Sequence, residues 1–201
     1  NVSMTVFDLE LAQEIDKVAR KIGIKAKIHL KLDTGMSRLG YVVLDDKLDE
    51  IADEIKQISQ FEGIILEGMY THFATADARN KEFENLQTHR FSEMVDKVKA
   101  MGVNIEYIHC SNSAEILDCD EKYDMVRPGI IQYGIYPSNE VSYSIDIKPV
   151  MTFKAKVSNV KVLDAGTSIS YGRIYFTTVR EKIISIAAGY ADGFLRGRRN
   201  P

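Results

Sequence analysis

The sequence predicts an α/β fold: a series of parallel βα units followed by the start of a mostly antiparallel β domain. Three observations carry this expectation. Short apolar runs alternate with helix-periodic segments over the first two-thirds of the chain. Their repeat of roughly 35 to 40 residues carries no recurring motif, which suits βα units rather than a solenoid. After Pro137 the helical periodicity stops and only strand-like runs follow. Strand and helix in alternation build a parallel sheet through right-handed crossovers.

The elements follow in order. Val2 to Phe7 reads as a strand, and Leu11, Ile15, Val18, Ala19 and Ile22 keep helical spacing up to a stop at Gly23. Lys27 to Asp33 alternates, with Ile28, Leu30 and Leu32 on one side and His29, Lys31 and Asp33 on the other. Leu48, Ile51, Ala52, Ile55 and Ile58 mark a second helix, and Ile64 to Tyr70 another strand. Phe91, Met94, Val95, Val98 and Met101 form a helical stripe ending at Gly102. A strand over Ile105 to His109, a short helix over Ala114 to Leu117 and a strand over Met125 to Arg127 complete the series. About five strands are legible where a closed barrel needs eight, so the sheet is either open or continued by strands upstream. The polar, proline-bounded stretch 138–149 is expected to be a linker between residues 1–137 and a β domain over 150–201. The β signals there run over Thr152 to Leu163, Ser168 to Thr178 and Lys182 to Ala188.

Composition excludes several functions. A net charge of -3 over 201 residues argues against a nucleic-acid partner, which would call for a basic face. Arg196, Arg198 and Arg199 read as solvated surface. Cys110 and Cys119 fit neither a zinc spacing nor a CxxC motif, so no metal is expected and two reduced, cytoplasmic thiols are. No apolar run approaches the roughly 20 residues that span a bilayer. Asn1 opens the chain without a signal-peptide pattern or an initiator methionine, and the stretch is expected to be part of a longer protein.

Polar residues collect where the strands end, the side on which barrel enzymes keep their sites. Lys31, Asp33, Thr34, Gly35 and Arg38 follow one strand; Tyr70, Thr71 and His72 the next; His109, Ser111, Asn112 and Ser113 a third; Arg127 and Gly129 the last. Singly, His72 reads as a core histidine and Ser113 as a helix N-cap. Together they form a ring of hydroxyl, imidazole, guanidinium and glycine groups suited to an anionic, heterocyclic ligand. Arg127 stands out, because burying a permanent cation is costly without a purpose.

Six blocks, His29 to Tyr41, Tyr70 to Asp77, Asn112-Ser113, Val126 to Ile130, Ile169 to Gly172 and Gly189 to Gly193, resemble the bacterial alanine racemase family in that family's order. The resemblance implies part of a (β/α)8 barrel that binds pyridoxal 5′-phosphate (PLP), followed by a β domain. It also implies a cytoplasmic homodimer sharing its active sites between subunits, and interconversion of L- and D-alanine for cell-wall synthesis. Carried over, it assigns Arg127 to the pyridine nitrogen of PLP and Arg38 to the ring's phenolic oxygen and the substrate carboxylate. Ser113 with the amides of Gly129 and Ile130 would hold the phosphate. Tyr171 from the partner subunit's β domain would be a catalytic base, in contact with His72, which also touches Arg127. Tyr190, Asp77 and Arg196 match the substrate access route. Lys31 matches a lysine that is carbamylated in many members, which would convert a buried cation into an anionic partner for Arg38.

The family's Schiff-base lysine block is absent from the sequence, as are its later β-domain substrate residues, so this stretch alone is expected to be inactive. Three alternatives remain open at this stage. One is a serine or broad-specificity racemase of the same fold; the second is a non-catalytic PLP-binding protein with a single barrel, against which the β segment from Val150 argues; the third is a catalytically dead structural or dimerisation fragment.

Overall fold

The computed structural model describes residues 2–119 and 123–194, and the chain divides into two compact units, Asn1–Val150 and Met151–Pro201. In the first, β1 (Met4–Val6), α1 (Leu9–Ile22), β2 (Ala26–Asp33), β3 (Tyr41–Val42), α2 (Leu48–Ser59), β4 (Ile64–Tyr70), α3 (Glu82–Ala100), β5 (Tyr107–His109) and α4 (Ser113–Asp118) follow one another. The sheet runs β1-β2-β4-β5 with every pair parallel, and β3 lies beside the end of β2.

Local chemistry explains the helix ends. Asp8 caps α1 by accepting from the Leu11 amide at 2.7 Å, and Gly23 closes it in the left-handed region at φ 72°. Apolar positions at helical spacing then decide the packing. All five residues of the α2 stripe are buried, as are Phe91, Met94, Val95 and Val98 of α3. They cover Ile28, Leu30, Leu32 and Met69 of the central strands. The opposite face of β2 is also covered, since Lys31 and Asp33 are buried there. That polar face carries the candidate site.

Three expectations need correction. Met125 to Arg127 is not a strand: Asp124 donates its amide to Ile108 and Arg127 to Ser111, but the segment forms no ladder. Pro128 has no amide hydrogen to continue one, and the chain turns at Gly129 into a 3-10 turn over Ile130–Tyr133. Asn112, not Ser113, caps α4, its side chain accepting from the Ala114 and Glu115 amides. The short strand at Tyr41–Val42 has no apolar run long enough to announce it. Residues 138–149 are tied to the first unit: Ser138 donates to the Asp77 carbonyl, the Ser142 amide donates to the Asp118 carboxylate, and Val141 is buried.

The second unit has β6 (Val157–Leu163) antiparallel to β9 (Glu181–Ile186), and β7 (Ser168–Ile169) antiparallel to β8 (Tyr175–Phe176). The long strand expected over Ser168 to Thr178 is broken by a 3-10 turn at Tyr171–Arg173. Ser170 (φ 59°), Gly172 (φ 74°) and Arg173 (φ 49°) all lie at positive φ there, a conformation costly for the two non-glycine residues. Among the described residues, no helix is long and apolar enough to cross a membrane.

Candidate active site

Arg127 is the hub of the polar face. Nη2 donates to the carbonyl oxygens of Thr71 (2.8 Å) and Cys110 (3.1 Å), and to Nδ1 of His72 (3.3 Å), while Nη1 donates to Nδ1 of His109. The guanidinium carbon lies 5.1 Å from the centre of the Tyr70 ring, which stacks on His109 at 4.8 Å with only 7° between the planes. Tyr70 itself is fixed by a 2.9 Å hydrogen bond to Thr5. Arg127 thus sits among neutral acceptors and a π face, an environment that suits a guanidinium fork. Burial pushes its pKa down, though not in a way that threatens its charge.

Burial, reinforced by Arg127, pushes His72 down to about 4 and His109 down to about 3. Both rings are therefore neutral acceptors toward Arg127 at neutral pH. Arg38, His72 and Arg127 line one cavity of about 560 Å3, with Tyr70 and His109. Arg38 reaches it from the loop after β2, where Asp33 accepts from the amides of Gly35 and Ser37, each at 3.0 Å. Gly40 closes that loop at φ 124°; a Cβ there would come 2.8 Å from the Lys31 carbonyl oxygen and the Asp33 nitrogen.

Lys31 is 2% exposed. Its ammonium donates to the Leu32 carbonyl at 2.6 Å and lies 5.5 Å from the Tyr70 ring centre. Burial lowers its pKa to about 8, with Arg127 and Arg38 acting in the same direction against Asp33. A minor neutral amine fraction, roughly a tenth at pH 7, therefore exists.

Ser113 forms a second polar corner. Its hydroxyl accepts from the Gly129 amide at 2.9 Å and from the Ile131 amide at 3.5 Å. A Cβ on Gly129 would come 3.3 Å from that hydroxyl, so the glycine keeps this corner open. Asp77 stands apart, half-buried in the loop held by Ser138. Tyr171 and Tyr190 belong to the second unit, where each begins a 3-10 turn and is 95% and 70% exposed respectively. Arg196, Arg198 and Arg199 lie outside the described residues.

Family models described as "Alanine racemase, N-terminal domain" and "Alanine racemase, C-terminal domain" match residues 1–137 and 150–200. The chain belongs to the alanine racemase family. It is 45% identical over 198 residues to alanine racemase 2 of Caldanaerobacter subterraneus, covering 98% of this chain and 50% of that protein. With the alanine racemase of Methanococcus maripaludis it shares 44% identity, covering all of this chain and 53% of the relative. The solved alanine racemase of Clostridium difficile 630 superimposes with a TM-score of 0.83 at 43% identity, over 97% of this chain and 50% of that one. The chain thus spans about half the length of the relatives it matches. The parallel sheet of the first unit is part of an α/β barrel, followed by a β domain.

Sequence reasoning missed two groups here. Gln87 of α3 is fully buried, donating to Thr34 Oγ1 (3.2 Å) and the His72 carbonyl (3.1 Å) and accepting from the Ala74 amide (2.9 Å). Glu67 of β4 is buried against His29, Lys27 and Ser3. A carboxylate followed by glycine inside an otherwise apolar strand was the available signal.

Proposed function

We propose that this chain forms part of a PLP-dependent alanine racemase that moves a proton off one face of the substrate Cα and returns one to the other. The observation that carries this reading is that an arginine, Arg127, occupies the centre of the site, held among the described residues by neutral acceptors and sharing a cavity with Arg38 and His72. When bound, PLP supplies an electron-withdrawing ring conjugated to Cα. Arg127 keeps its own proton, so it can hydrogen-bond the pyridine nitrogen without protonating it. That limits the withdrawal and favours return of a proton to Cα over loss of the amino group.

The remaining residues suit the cofactor. Ser113 and the Gly129 amide would hold the phosphate, in a corner that a larger residue at position 129 would crowd. Arg38 would take the phenolic oxygen and the substrate carboxylate. His72, accepting from Arg127 at Nδ1, has its proton on Nε2 and can offer it to Tyr171 of a second copy of the chain. The strained, exposed turn that carries Tyr171 fits a residue presented to another surface. The exposed apolar residues of β6 and β9, among them Val160, Val162 and Ile184, are consistent with a homodimer that covers them. Lys31, buried with a lowered pKa, would attack CO2 as the neutral amine and lose a proton, giving a carbamate toward Arg38.

The test is a D-amino-acid-oxidase coupled assay of the full-length protein with L-alanine and L-serine, with and without added PLP. D-alanine should form faster than D-serine and only with the cofactor. Absence of any D-amino acid would sink the reading.

A further inference from the structure

Among the described residues no carboxylate pairs with Arg127, although it is a half-buried cation. Its hydrogen bonds nevertheless lead to one. A guanidinium can only donate, so Nδ1 of His109 must accept from Arg127 and the ring carries its proton on Nε2. That Nε2 lies 2.8 Å from Nδ1 of His29, which must accept in turn. The proton of His29 is thereby fixed on Nε2, 3.2 Å from Oε2 of Glu67. Every donor along the chain points away from Arg127 and the last acceptor is an anion. Lys27 and Ser3 grip the same carboxylate and hold it down to about 2, so it stays ionised.

The backbone is shaped around this path. The β2–β4 register shifts so that Ile28 faces Leu66 while His29 faces Gly68, leaving Glu67 as an extra residue on β4. Gly68 lies against the imidazole: a Cβ there would come 2.5 Å from both Nδ1 and Cε1 of His29. Without that glycine the His29 ring could not reach across β4 to His109 on β5.

We propose that Glu67, His29 and His109 form a one-way hydrogen-bond chain that supplies the counter-charge of Arg127 at a distance and fixes its orientation. The proposal deepens the reading of Arg127 as the partner of a pyridine nitrogen and rests on it. A carboxylate in direct contact would occupy the guanidinium fork. The Glu67 charge, relayed through two imidazoles, instead acts on Arg127 while leaving part of the fork for a ligand. Glu67 and His29 are positioning residues, acting through His109. The chain polarises Arg127 without delivering a proton, because the guanidinium at its inner end does not release one.

The experiment uses the full-length, PLP-loaded protein with 15N-labelled histidine near pH 7. His109 and His29 should each show a pyrrole-type Nε2 and a pyridine-type Nδ1. A proton on Nδ1 of either ring, or a charged imidazolium, overturns the proposal. Two variants probe the effect on chemistry, G68A to displace the His29 ring and E67Q to remove the anion. Each should retain the cofactor and lower kcat about tenfold, with little change in KM. Combined, they should do no worse than the more damaging single change, because both cut the same chain. Additive losses, or an unchanged kcat and an unchanged His109 spectrum in E67Q, also overturn it. The nitrogen spectrum needs no turnover, so a protein that fails to racemise alanine would refute the functional reading and leave the chain to stand or fall on its tautomers.

Discussion

Arg127 and His72 are joined by a hydrogen bond of fixed direction, Nη2 donating to Nδ1 at 3.3 Å. The same nitrogen also serves the carbonyls of Thr71 and Cys110, and Nη1 serves His109. A single guanidinium thereby ties the ends of β4 and β5 to one point. Its value lies in the planar fork as much as in the charge.

Arg127→Lys therefore keeps the charge and loses the geometry. One ammonium has three donors and cannot reach four acceptors arrayed around the two terminal nitrogens of the fork. We expect kcat/KM for alanine in the full-length enzyme to fall by at least about 100-fold. The fold should survive with a lowered Tm. Steady-state kinetics beside circular dichroism separates the two effects, and a loss under about threefold would contradict the role of the fork.

Acid should unfold this protein through the same site. His72 and His109 titrate near 6.5 when unfolded but at about 4 and about 3 when folded. Below pH 6.5 the unfolded chain takes up protons that the folded one refuses. Their stabilisation is thus fully present above pH 6.5 and is lost as pH falls toward 4 and then 3, by at most about 2.7 kcal/mol per pH unit for the pair. Glu115 runs the other way. Burial, then its hydrogen bond with Glu84, raises it to about 7, so its contribution is lost as pH rises from the ordinary carboxylate range to neutrality. Urea midpoints of the full-length protein should rise from pH 5 to 6.5, and Glu115→Gln should steepen that rise. Midpoints that stay flat across this interval would rule out buried neutral imidazoles.

Much of the fold was legible because its signal is local. The α2 stripe and the β4 run are patterns of neighbouring residues, and both stand where periodicity puts them. Arg127 and His72 were legible for a related reason: a charge or an imidazole closing an apolar run interrupts its pattern. What escaped depends on pairing between distant segments. The slip that displaces Glu67 exists only in the register of β4 against β2. The broken strand around Tyr171 was read as continuous because Ser170 and Arg173 are not residue types that announce positive φ.

Gln87 escaped for the same reason, since its three partners lie on the loops after β2 and β4 rather than on its own helix. Thr34 donates to Thr71 at 2.7 Å, and Thr71 to the Leu32 carbonyl at 2.9 Å, so the Gln87 amide is the keystone of a buried network beneath His72. Gln87→Leu preserves volume but strands the Ala74 amide and the His72 carbonyl without partners. It should cost about 2–4 kcal/mol of stability, since unmet buried groups are penalised in full. Gln87→Glu retains the acceptor for Ala74 yet sets a carboxylate against the His72 carbonyl oxygen, so it should also lower kcat, by about tenfold, as His72 shifts away from Arg127. Denaturant unfolding and steady-state kinetics on the two variants check this. A Gln87→Leu protein within about 0.5 kcal/mol of the parent would show that the network does not hold His72 in place.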